Sequence, residues 1–255
     1  MTATLTPPAT PPERGAEPSE AAVEKGGVDK STARVQRMFG AIAGRYDVMN
    51  RVMTGGLDVL WRRRISRADL GVGPALDCCT GTGDLAFALR KRRPDLRVVG
   101  ADFTHQMLTQ ATRKDRGRQV AWVEGDGEAL PFADGTFTAA SVGFGLRNIA
   151  DTRLGLAELY RVLAPGGLLL ILETSNQTSP LLRPFFNLYF RTVVPRLGRW
   201  LAGNPEAAYD YLPASAAVFP DGEDLCDLFR EVGFTECSFK PLGFGAATFY
   251  TARKP

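Results

Sequence analysis

The stretch Leu76-Asp-Cys-Cys-Thr-Gly-Thr-Gly-Asp-Leu-Ala-Phe87 decides the fold of this 255-residue chain. Its first half belongs to a short apolar run, and an amphipathic segment begins near Asp84. Gly81 and Gly83 lie between the two, where the lack of a side chain lets the backbone turn sharply and approach a ligand closely. A strand, a glycine-rich turn and a helix in this order predict one unit of an α/β sheet with a ligand at the carboxyl end of the strand.

Downstream of this stretch, short apolar runs alternate with amphipathic segments. The run 168–173 is apolar almost throughout, which is typical of a strand buried on both faces of a parallel sheet. Strand and helix in alternation imply right-handed crossovers and therefore a doubly wound α/β sheet. The predicted strands span 75–80, 97–102, 120–126, 137–144, 168–173, 234–240 and 246–252, and the predicted helical regions span 31–70, 84–93, 104–116 and 151–163.

The N-terminal stretch differs in composition from the rest. Five of the 17 prolines fall within its first 18 positions, and large apolar residues are almost absent before residue 30. Such a segment buries too little surface to offset the entropy lost on ordering. Its glutamates argue against a transit peptide, and it lacks the apolar core of a secretory signal. We predict a disordered leader over 1–30 and one globular domain over 31–255.

A second segment, 178–220, is predicted to be inserted into this domain as a lid or substrate segment. From 178 to 203 it is rich in leucine, phenylalanine, tyrosine and valine, with arginines spaced through it and prolines at 180, 184 and 195. A helical lid packed on the core is one interpretation. An amphipathic face that touches a membrane or an apolar substrate is the other, and both can hold together.

The composition argues against several kinds of chemistry. A single histidine, His105, speaks against a histidine-rich metal site and against a Ser-His-Asp triad, so we expect no metal. The four cysteines form no Cys-x-x-Cys pair, which is typical of reduced thiols in a cytosolic protein. No uncharged run exceeds 12 residues, well short of the roughly 18 that a membrane-spanning helix needs. The net charge of +3 is compatible with a nucleic-acid or anionic-membrane partner and demonstrates neither.

The glycine-rich turn admits two cofactors. Residues 81–86 fit the dinucleotide pattern G-x-G-x-x-G/A, and Asp102 follows about twenty residues on, so NAD must be weighed. Against NAD, the first strand carries Asp77, whose carboxylate suits a cationic amine better than a pyrophosphate. Asp126 closes the third strand, where it offers an acceptor to an adenine amino group. No Tyr-x-x-x-Lys or comparable hydride-transfer motif follows.

S-adenosylmethionine matches these features better than NAD does. It carries no phosphate, has an ammonium group and a sulfonium, and its two ribose hydroxyls suit one carboxylate. Asp102 is the expected ribose ligand through two charge-assisted hydrogen bonds. Gly81, Thr82 and Gly83 are expected to line the methionine portion. The ordered set from Asp77 to Asp126 therefore favours S-adenosylmethionine.

Longer motifs carry a family resemblance from about Phe39 to the C-terminus. In order along the chain they are RYDVMN (45–50), LDCCTGTGDLAF (76–87), EALPF (128–132), GFGLRN (143–148), RVLAPGG (161–167) and YDYLPASAAVFP (209–220). Together they resemble the ubiquinone/menaquinone biosynthesis C-methyltransferase family. The resemblance implies the class I S-adenosylmethionine-dependent methyltransferase fold, with seven strands of which the last is antiparallel. It also implies methyl transfer to a ring carbon of a prenylated quinol, foremost demethylmenaquinol to menaquinol.

The resemblance also implies site residues. Family cofactor contacts fall on Thr82, Asp102, Asp126 and Gly127, and a further contact that is commonly a serine falls on Gly143, where only the backbone can serve. A histidine often found near the C-terminus of the family is Tyr250 in this chain.

On the substrate side we expect Tyr46, Arg147 and Asn148, with Arg147 stabilising a developing phenolate and the other two orienting it. Asp47, Tyr209 and Tyr211 are expected behind them, and His105 is expected to face solvent without a catalytic role. Carbon methylation needs a nucleophilic ring, so the expected substrate is the reduced quinol.

The expected partners and location follow from the prenyl tail. A long isoprenoid chain dissolves in the bilayer, so we expect a cytoplasmic protein that touches the inner face of the membrane peripherally. Arginines of the lid segment would meet anionic headgroups. Its apolar residues are Leu181, Leu182, Phe185, Phe186, Leu188 and Phe190.

Several alternatives stay open. They are a polyprenyl-methoxy-benzoquinol acceptor, a cofactor-binding module without quinol activity, and a homo-oligomer. Nucleic acid is not expected, because Gly143–Asn148 stands where amino-methylating nucleic-acid enzymes of this fold carry Asp/Asn-Pro-Pro-Tyr/Phe.

Overall fold

One sheet organises the part of the chain that the computed structural model describes, which is residues 30–175, 192, 211 and 214–255. Its seven strands lie in the order β3-β2-β1-β4-β5-β7-β6. The predicted leader apart from Lys30, the YDYLP motif apart from Tyr211, and most of the predicted lid lie outside the described residues. The strands are β1 Ala75–Cys78, β2 Val98–Asp102, β3 Val120–Glu124, β4 Phe137–Gly143, β5 Leu163–Thr174, β6 Thr235–Leu242 and β7 Ala247–Arg253.

The strand directions create the site. Strands β1 to β5 pair in parallel, and β7 runs antiparallel to both of its neighbours, β5 and β6. The seven-stranded sheet with its last strand antiparallel is therefore confirmed. β1 pairs with β2 on one side and β4 on the other, so the strand order reverses at β1. In open α/β sheets such a reversal leaves a crevice at the carboxyl ends of the strands, where ligands bind.

Helices cover both faces of the sheet. The central part of the sheet is buried between them, and within β5 the residues Leu169 to Leu172 are each at 0% exposure. Residues of α6 (Thr152–Val162) and α7 (Glu223–Val232) contribute to the core on one face, and Leu85, Ala86 and Leu89 of α4 (Asp84–Arg92) contribute on the other. No helix of the described residues is long and apolar enough to cross a membrane. The helices are α1 Thr32–Ile42, α2 Tyr46–Met53, α3 Leu57–Ile65, α4 Asp84–Arg92, α5 His105–Lys114, α6 Thr152–Val162 and α7 Glu223–Val232.

Two regions differ from the sequence-based expectation. The region 31–70 forms three helices, and the break before α3 lies at Gly55 and Gly56, which take positive φ values of 59° and 81°. Helix α7 was not predicted, although it has the usual signals. Glu223 and Asp224 lie in its first turn, and Gly233 follows it in the left-handed conformation.

Candidate functional site

A cavity of about 590 Å³, counting the part open to solvent, lies at the carboxyl ends of β1, β2 and β4. This volume is in the range of small-molecule sites. We call it the larger cavity. Of the expected cofactor residues, its lining includes Gly81, Asp102, Asp126, Gly127 and Gly143. The parallel strands thus bring residues that are far apart in sequence to one edge of the sheet.

A second cavity adjoins the first beside the glycine-rich turn, and we call it the smaller cavity. Both are lined by Tyr46, Cys79, Gly81 and Gly143, so these residues lie at their junction. The smaller cavity is further lined by polar side chains, which are Arg62, Asp77, Thr80, Thr82 and Asp84.

Asp102 ends β2 and ties it to the glycine-rich turn. Its Oδ2 accepts a hydrogen bond of 2.8 Å from the Gly81 amide, and its Oδ1 accepts one of 2.8 Å from the Thr104 amide. Burial raises the pKa of this carboxyl, and the two amides oppose the rise. Each carboxylate oxygen has more than one lone pair, so Asp102 keeps acceptor capacity for a ligand's hydroxyls.

Asp77 lies in β1 and is 1% exposed. Its Oδ2 accepts hydrogen bonds from the Thr80 hydroxyl at 2.6 Å and the Ala86 amide at 3.1 Å, and its Oδ1 accepts one from the Ser141 hydroxyl at 2.8 Å. Burial raises the pKa of Asp77 from 3.8 to about 6, although these donors favour the charged form. The carboxylate therefore fixes the start of α4 while placing a charge beside the smaller cavity.

The two glycines of the turn differ in what they do. Gly81 has a φ of 56°, and a Cβ built on it would lie 3.7 Å from the Tyr46 ring. Gly83 has a φ of 85°, and a Cβ built on it would lie 2.5 Å from the Trp122 ring. Gly83 lines neither of the two cavities. Close packing of the turn against Trp122 explains this glycine, whereas Gly81 borders the ligand space.

Tyr46 begins α2 and lies over the glycine-rich turn. Its ring meets Phe39 edge-on at 5.9 Å between centroids, and burial raises the pKa of its phenol. The next residue, Asp47, accepts hydrogen bonds from the Thr82 hydroxyl and from Lys114 Nζ, the latter at 2.7 Å. Lys114 Nζ also lies 2.6 Å from Asp84 Oδ1. These contacts hold α2 against the turn.

Asn148 and Arg147 follow β4 in a short 3₁₀ turn, Leu146–Asn148, and face different surroundings. Asn148 lines the larger cavity, and its Oδ1 is buried with no hydrogen-bond partner among the described residues. Arg147 is 5% exposed and lines neither cavity. Its guanidinium forms an ion pair with the buried Glu173 and donates to the Phe144 carbonyl at 3.0 Å. The expected direct contact of Arg147 with a phenolate is thus not provided by this arrangement.

His105, Tyr211 and Tyr250 do not line the larger cavity. His105 is exposed, with Nδ1 2.9 Å from Glu124 Oε2, so it faces solvent as expected. Tyr211 is buried and packs with α1 in a small core cluster. The Tyr250 hydroxyl accepts a hydrogen bond of 2.8 Å from the Gly222 amide, and burial raises its pKa to about 12. Tyr250 thereby supports the start of α7. Tyr209 lies outside the described residues.

Sequence reasoning missed three residues of the site. Ser141 bonds to Asp77, which requires knowing that β1 and β4 are neighbours in the sheet. Glu173 pairs with Arg147, and its only signal is a single charge at the end of an apolar run. Arg62 lines the smaller cavity, and its place within the run Arg62-Arg-Arg64 gives no sign of it.

The residues present fit S-adenosylmethionine. The larger cavity offers Asp102 to a ribose and the neighbouring Asp126 and Gly127 to an adenine, and a Cβ on Gly127 would lie 3.0 Å from Ile149. The smaller cavity offers carboxylates and a guanidinium, which match an ammonium and a carboxylate.

Comparisons with known proteins agree with this fit. The model of the ubiE/COQ5 methyltransferase family matches residues 28–254. A ubiquinone/menaquinone biosynthesis C-methyltransferase of Desulfotalea psychrophila is 45% identical, covering 83% of this chain and 86% of that protein. A demethylmenaquinone methyltransferase of Deinococcus radiodurans is 44% identical, covering 89% and 94%. That of Thermus thermophilus is also 44% identical, covering 86% and 100%.

Solved structures share the fold at low sequence identity. An S-adenosylmethionine-dependent methyltransferase of Thermotoga maritima gives a TM-score of 0.63 at 21% identity, covering 87% of this chain and 100% of that chain. Phosphoethanolamine N-methyltransferase 2 of Haemonchus contortus, solved with S-adenosyl-L-methionine, gives 0.54 at 16% identity, covering 78% and 52%. The expected class I methyltransferase fold is confirmed. Given the family match along nearly its whole described length, the chain belongs to the ubiE/COQ5 methyltransferase family.

Proposed function

We propose that this S-adenosylmethionine-dependent methyltransferase methylates a ring carbon of a prenylated quinol, converting demethylmenaquinol to menaquinol. The observation that carries the proposal is the 44% identity to two demethylmenaquinone methyltransferases over 94% and 100% of their lengths. The cavity at the carboxyl ends of the strands supports the proposal, because its lining includes residues expected on both the cofactor side and the substrate side.

The cofactor is assigned to the strand-end residues. Asp102 would hold the ribose, Asp126 and Gly127 the adenine, and Asp77 with Gly81 and Thr82 the methionine portion. Gly143 would contribute through its backbone. When bound, S-adenosylmethionine supplies a methyl group on a sulfonium, which a carbon nucleophile can accept.

The substrate is assigned to the side of the larger cavity where Tyr46 and Asn148 lie. Asn148 Oδ1 is an acceptor without a partner among the described residues, so it suits the hydroxyl proton of a quinol. Accepting a hydrogen bond from this proton raises the electron density on the ring, and the reduced quinol is therefore the reactive form. Tyr46 would bound the same space from the side of the glycine-rich turn.

We propose that Arg147 is a positioning residue and does not contact the substrate. Its side chain joins the Phe144 carbonyl to Glu173, and the Asn148 side chain donates to the same carbonyl at 3.3 Å. Arg147 would thus hold the turn that presents Asn148. A direct role at a phenolate would require the guanidinium to leave Glu173.

Apolar side chains form much of the wall of the larger cavity. Phe39, Phe103, Phe144 and Ile149 line it together with Met107. Charge is neutralised when a phenolate-like ring takes a methyl group from a sulfonium, so an apolar, water-poor cavity favours the reaction.

Peripheral contact with an anionic membrane is part of the proposal, because the prenyl tail lies in the bilayer. The residues assigned to this contact, from Leu181 to Phe190 with their neighbouring arginines, lie outside the described residues. Liposome co-sedimentation at low salt tests the contact. Binding to anionic but not neutral vesicles is expected, and equal absence of binding to both contradicts it.

A benzoquinol is the second candidate acceptor, because the relative from Desulfotalea psychrophila is named for both ubiquinone and menaquinone biosynthesis. One assay separates the acceptors. Purified enzyme and methyl-labelled S-adenosylmethionine are incubated with reduced demethylmenaquinol, with a polyprenyl-methoxy-benzoquinol, or with a tRNA pool. Label in the naphthoquinol is expected. Label only in the benzoquinol supports the second candidate, and label in neither quinol contradicts the proposal.

A further inference from the structure

Arg62 is a buried cation beside the methionine side of the site. It lies on α3, is 7% exposed, and lines the smaller cavity together with Asp77 and Thr82. A buried guanidinium needs partners, because leaving a charge without compensation in a low-dielectric environment is costly. The N–H donors that its protein partners leave unused therefore indicate whether Arg62 can also bind a ligand.

Only part of the guanidinium is engaged by the described residues. Nη1 forms an ion pair with Asp58 and lies 3.6 Å from Asp84 Oδ2. Within the described part of the chain, every ion pair of Arg62 runs through this one nitrogen. A guanidinium carries five N–H donors in a planar fork that matches a carboxylate. Nε and Nη2 therefore remain as donors on a side chain that borders the cavity.

The charge pattern of the smaller cavity matches an amino acid. Asp77 supplies a buried carboxylate and Arg62 a buried cation, and both line the same space. The positive charge of Arg62 also lowers the pKa of Asp77 and of Tyr46 against the rise caused by burial, so the three groups lie within electrostatic reach of one another. A ligand with an ammonium and a carboxylate on one carbon complements such a pair.

We propose that Arg62 binds the carboxylate of the methionine portion of the cofactor, opposite Asp77 and its ammonium partner. The inference rests on the proposed function, because it takes S-adenosylmethionine as the ligand. It adds a binding residue from the N-terminal helices to a set that otherwise comes from the strand ends.

If Arg62 had only a structural role, its substitution would affect ligand binding in the same way as substitution of Arg51. Arg51 pairs with the same two carboxylates, Asp58 and Asp84, and also fastens the N-terminal helices to α4. Its side chain is 37% exposed, and it lines neither cavity. Arg51 is therefore a matched control, since it shares the ion-pair network of Arg62 without access to the ligand.

Calorimetric binding of two ligands tests the proposal. S-adenosylhomocysteine carries the ammonium and the carboxylate, and its decarboxylated analogue keeps only the ammonium. The wild-type protein is expected to bind S-adenosylhomocysteine about 10- to 100-fold more tightly than the analogue, as one charge-assisted contact implies. In Arg62→Met this preference is expected to fall below about threefold, whereas Arg51→Met keeps it.

A second variant covers the case in which Arg62→Met fails to fold. Arg62→Met leaves Asp58, which is fully buried, with less compensation, so the double variant Arg62→Met with Asp58→Asn removes both charges. It is expected to show the same lost preference. Equal weakening of both ligands, or a preference retained without Arg62, overturns the proposal.

The wild-type measurement separates this proposal from the proposed function. No preference for the carboxylate in the wild type overturns the role of Arg62 even if every variant unfolds. A wild type that binds neither ligand overturns the proposed function as well.

Discussion

On the proposed cofactor side of the site, Asp77 and Asp102 lie on strands and accept hydrogen bonds from the adjoining turn and strands. On the proposed substrate side, Tyr46 begins a helix and Asn148 ends a short turn, and both depend on contacts with distant residues. The Arg147–Glu173 ion pair holds the turn that ends at Asn148. The Lys114–Asp47 ion pair holds the helix that begins at Tyr46.

This difference implies that the two sides can be damaged separately. Variants on the strands are expected to weaken the cofactor complex. Variants in the turn after β4 are expected to lower turnover while cofactor affinity stays nearly unchanged, because they leave the strand-end acceptors in place.

The largest loss of cofactor affinity is expected for Asp102→Ala. The change removes the ribose acceptor and leaves the Gly81 amide without its partner, so the dissociation constant for S-adenosylhomocysteine should rise about 100-fold. Calorimetry measures the constant, and circular dichroism confirms folding. His105→Ala, at the neighbouring exposed position, is the control and should bind normally. Near-normal binding by Asp102→Ala contradicts the assignment.

Arg147→Ala is expected to separate stability from cofactor binding. It leaves the buried Glu173 unpaired, so the free energy of unfolding should fall by about 3 to 5 kcal/mol. Turnover should fall sharply, while S-adenosylhomocysteine binding to the folded fraction changes little. The double variant Arg147→Met with Glu173→Gln should recover stability but not turnover. Full methyl transfer to a short-chain quinol by Arg147→Ala would falsify the scheme.

Asn148→Ala is expected to act on the substrate alone. Removal of the Oδ1 acceptor should lower kcat/KM for the quinol about 10-fold, as the loss of one hydrogen bond in a desolvated site implies. The affinity for S-adenosylhomocysteine should stay unchanged. Steady-state kinetics with both substrates varied gives kcat/KM for the quinol and for S-adenosylmethionine. An equal loss in these two values would place Asn148 outside the substrate contact.

The pH dependence of cofactor binding should report on Asp77. Its pKa is raised to about 6 by burial, so the carboxyl is mostly protonated at pH 5 and ionised at pH 7. The ionised form attracts the ligand's ammonium, so affinity should rise between these values by about 10-fold or less. Asp77→Asn should flatten the profile. An unchanged slope in that variant speaks against Asp77 as the ammonium partner.

The stability of the ligand-free protein should follow the opposite trend with pH. The unfolded carboxyl releases its proton near pH 3.8 and the folded one near 6, so unfolding becomes easier as pH rises between them.

The smallest effect is expected for Lys114→Met. Its side chain is 32% exposed, so its ion pairs with Asp47 and Asp84 are screened by solvent and salt. The KM for the quinol should rise about two- to threefold at low salt and less at high salt. Lys91→Met, in α4, is the control. A loss of kcat/KM for the quinol as large as that of Asn148→Ala would show that Lys114 does more than hold α2 in place.

Much of the fold follows from the sequence, because alternating apolar and amphipathic segments have one stable arrangement in α/β proteins. β2 and α4 lie within a residue or so of their predicted bounds. The region 31–70 is helical as predicted, but its division into three helices was not predicted, and the break before α3 depends on the backbone conformation of Gly55 and Gly56. Helix α7 was not predicted, although the sequence carries signals for both of its ends.

The positions of the proposed cofactor residues were easier to predict than those of the proposed substrate residues. Asp102 and Asp126 are the last residues of predicted strands, and the carboxyl ends of parallel strands share one edge of the sheet. Arg147 is different, because the orientation of its side chain depends on Glu173, which lies 26 residues further along the chain. Arg62 reaches the site through a helix packing that no local pattern specifies.

The position of the transferred methyl group tests the central claim most directly. The enzyme is given labelled S-adenosylmethionine and a prenylated naphthoquinol kept reduced, with the oxidised quinone as the parallel reaction, and the product is analysed by mass spectrometry and NMR. The account predicts label as a methyl group on a ring carbon, formed from the reduced substrate alone. Label on oxygen, equal reaction of the oxidised quinone, or no labelled quinol would contradict it.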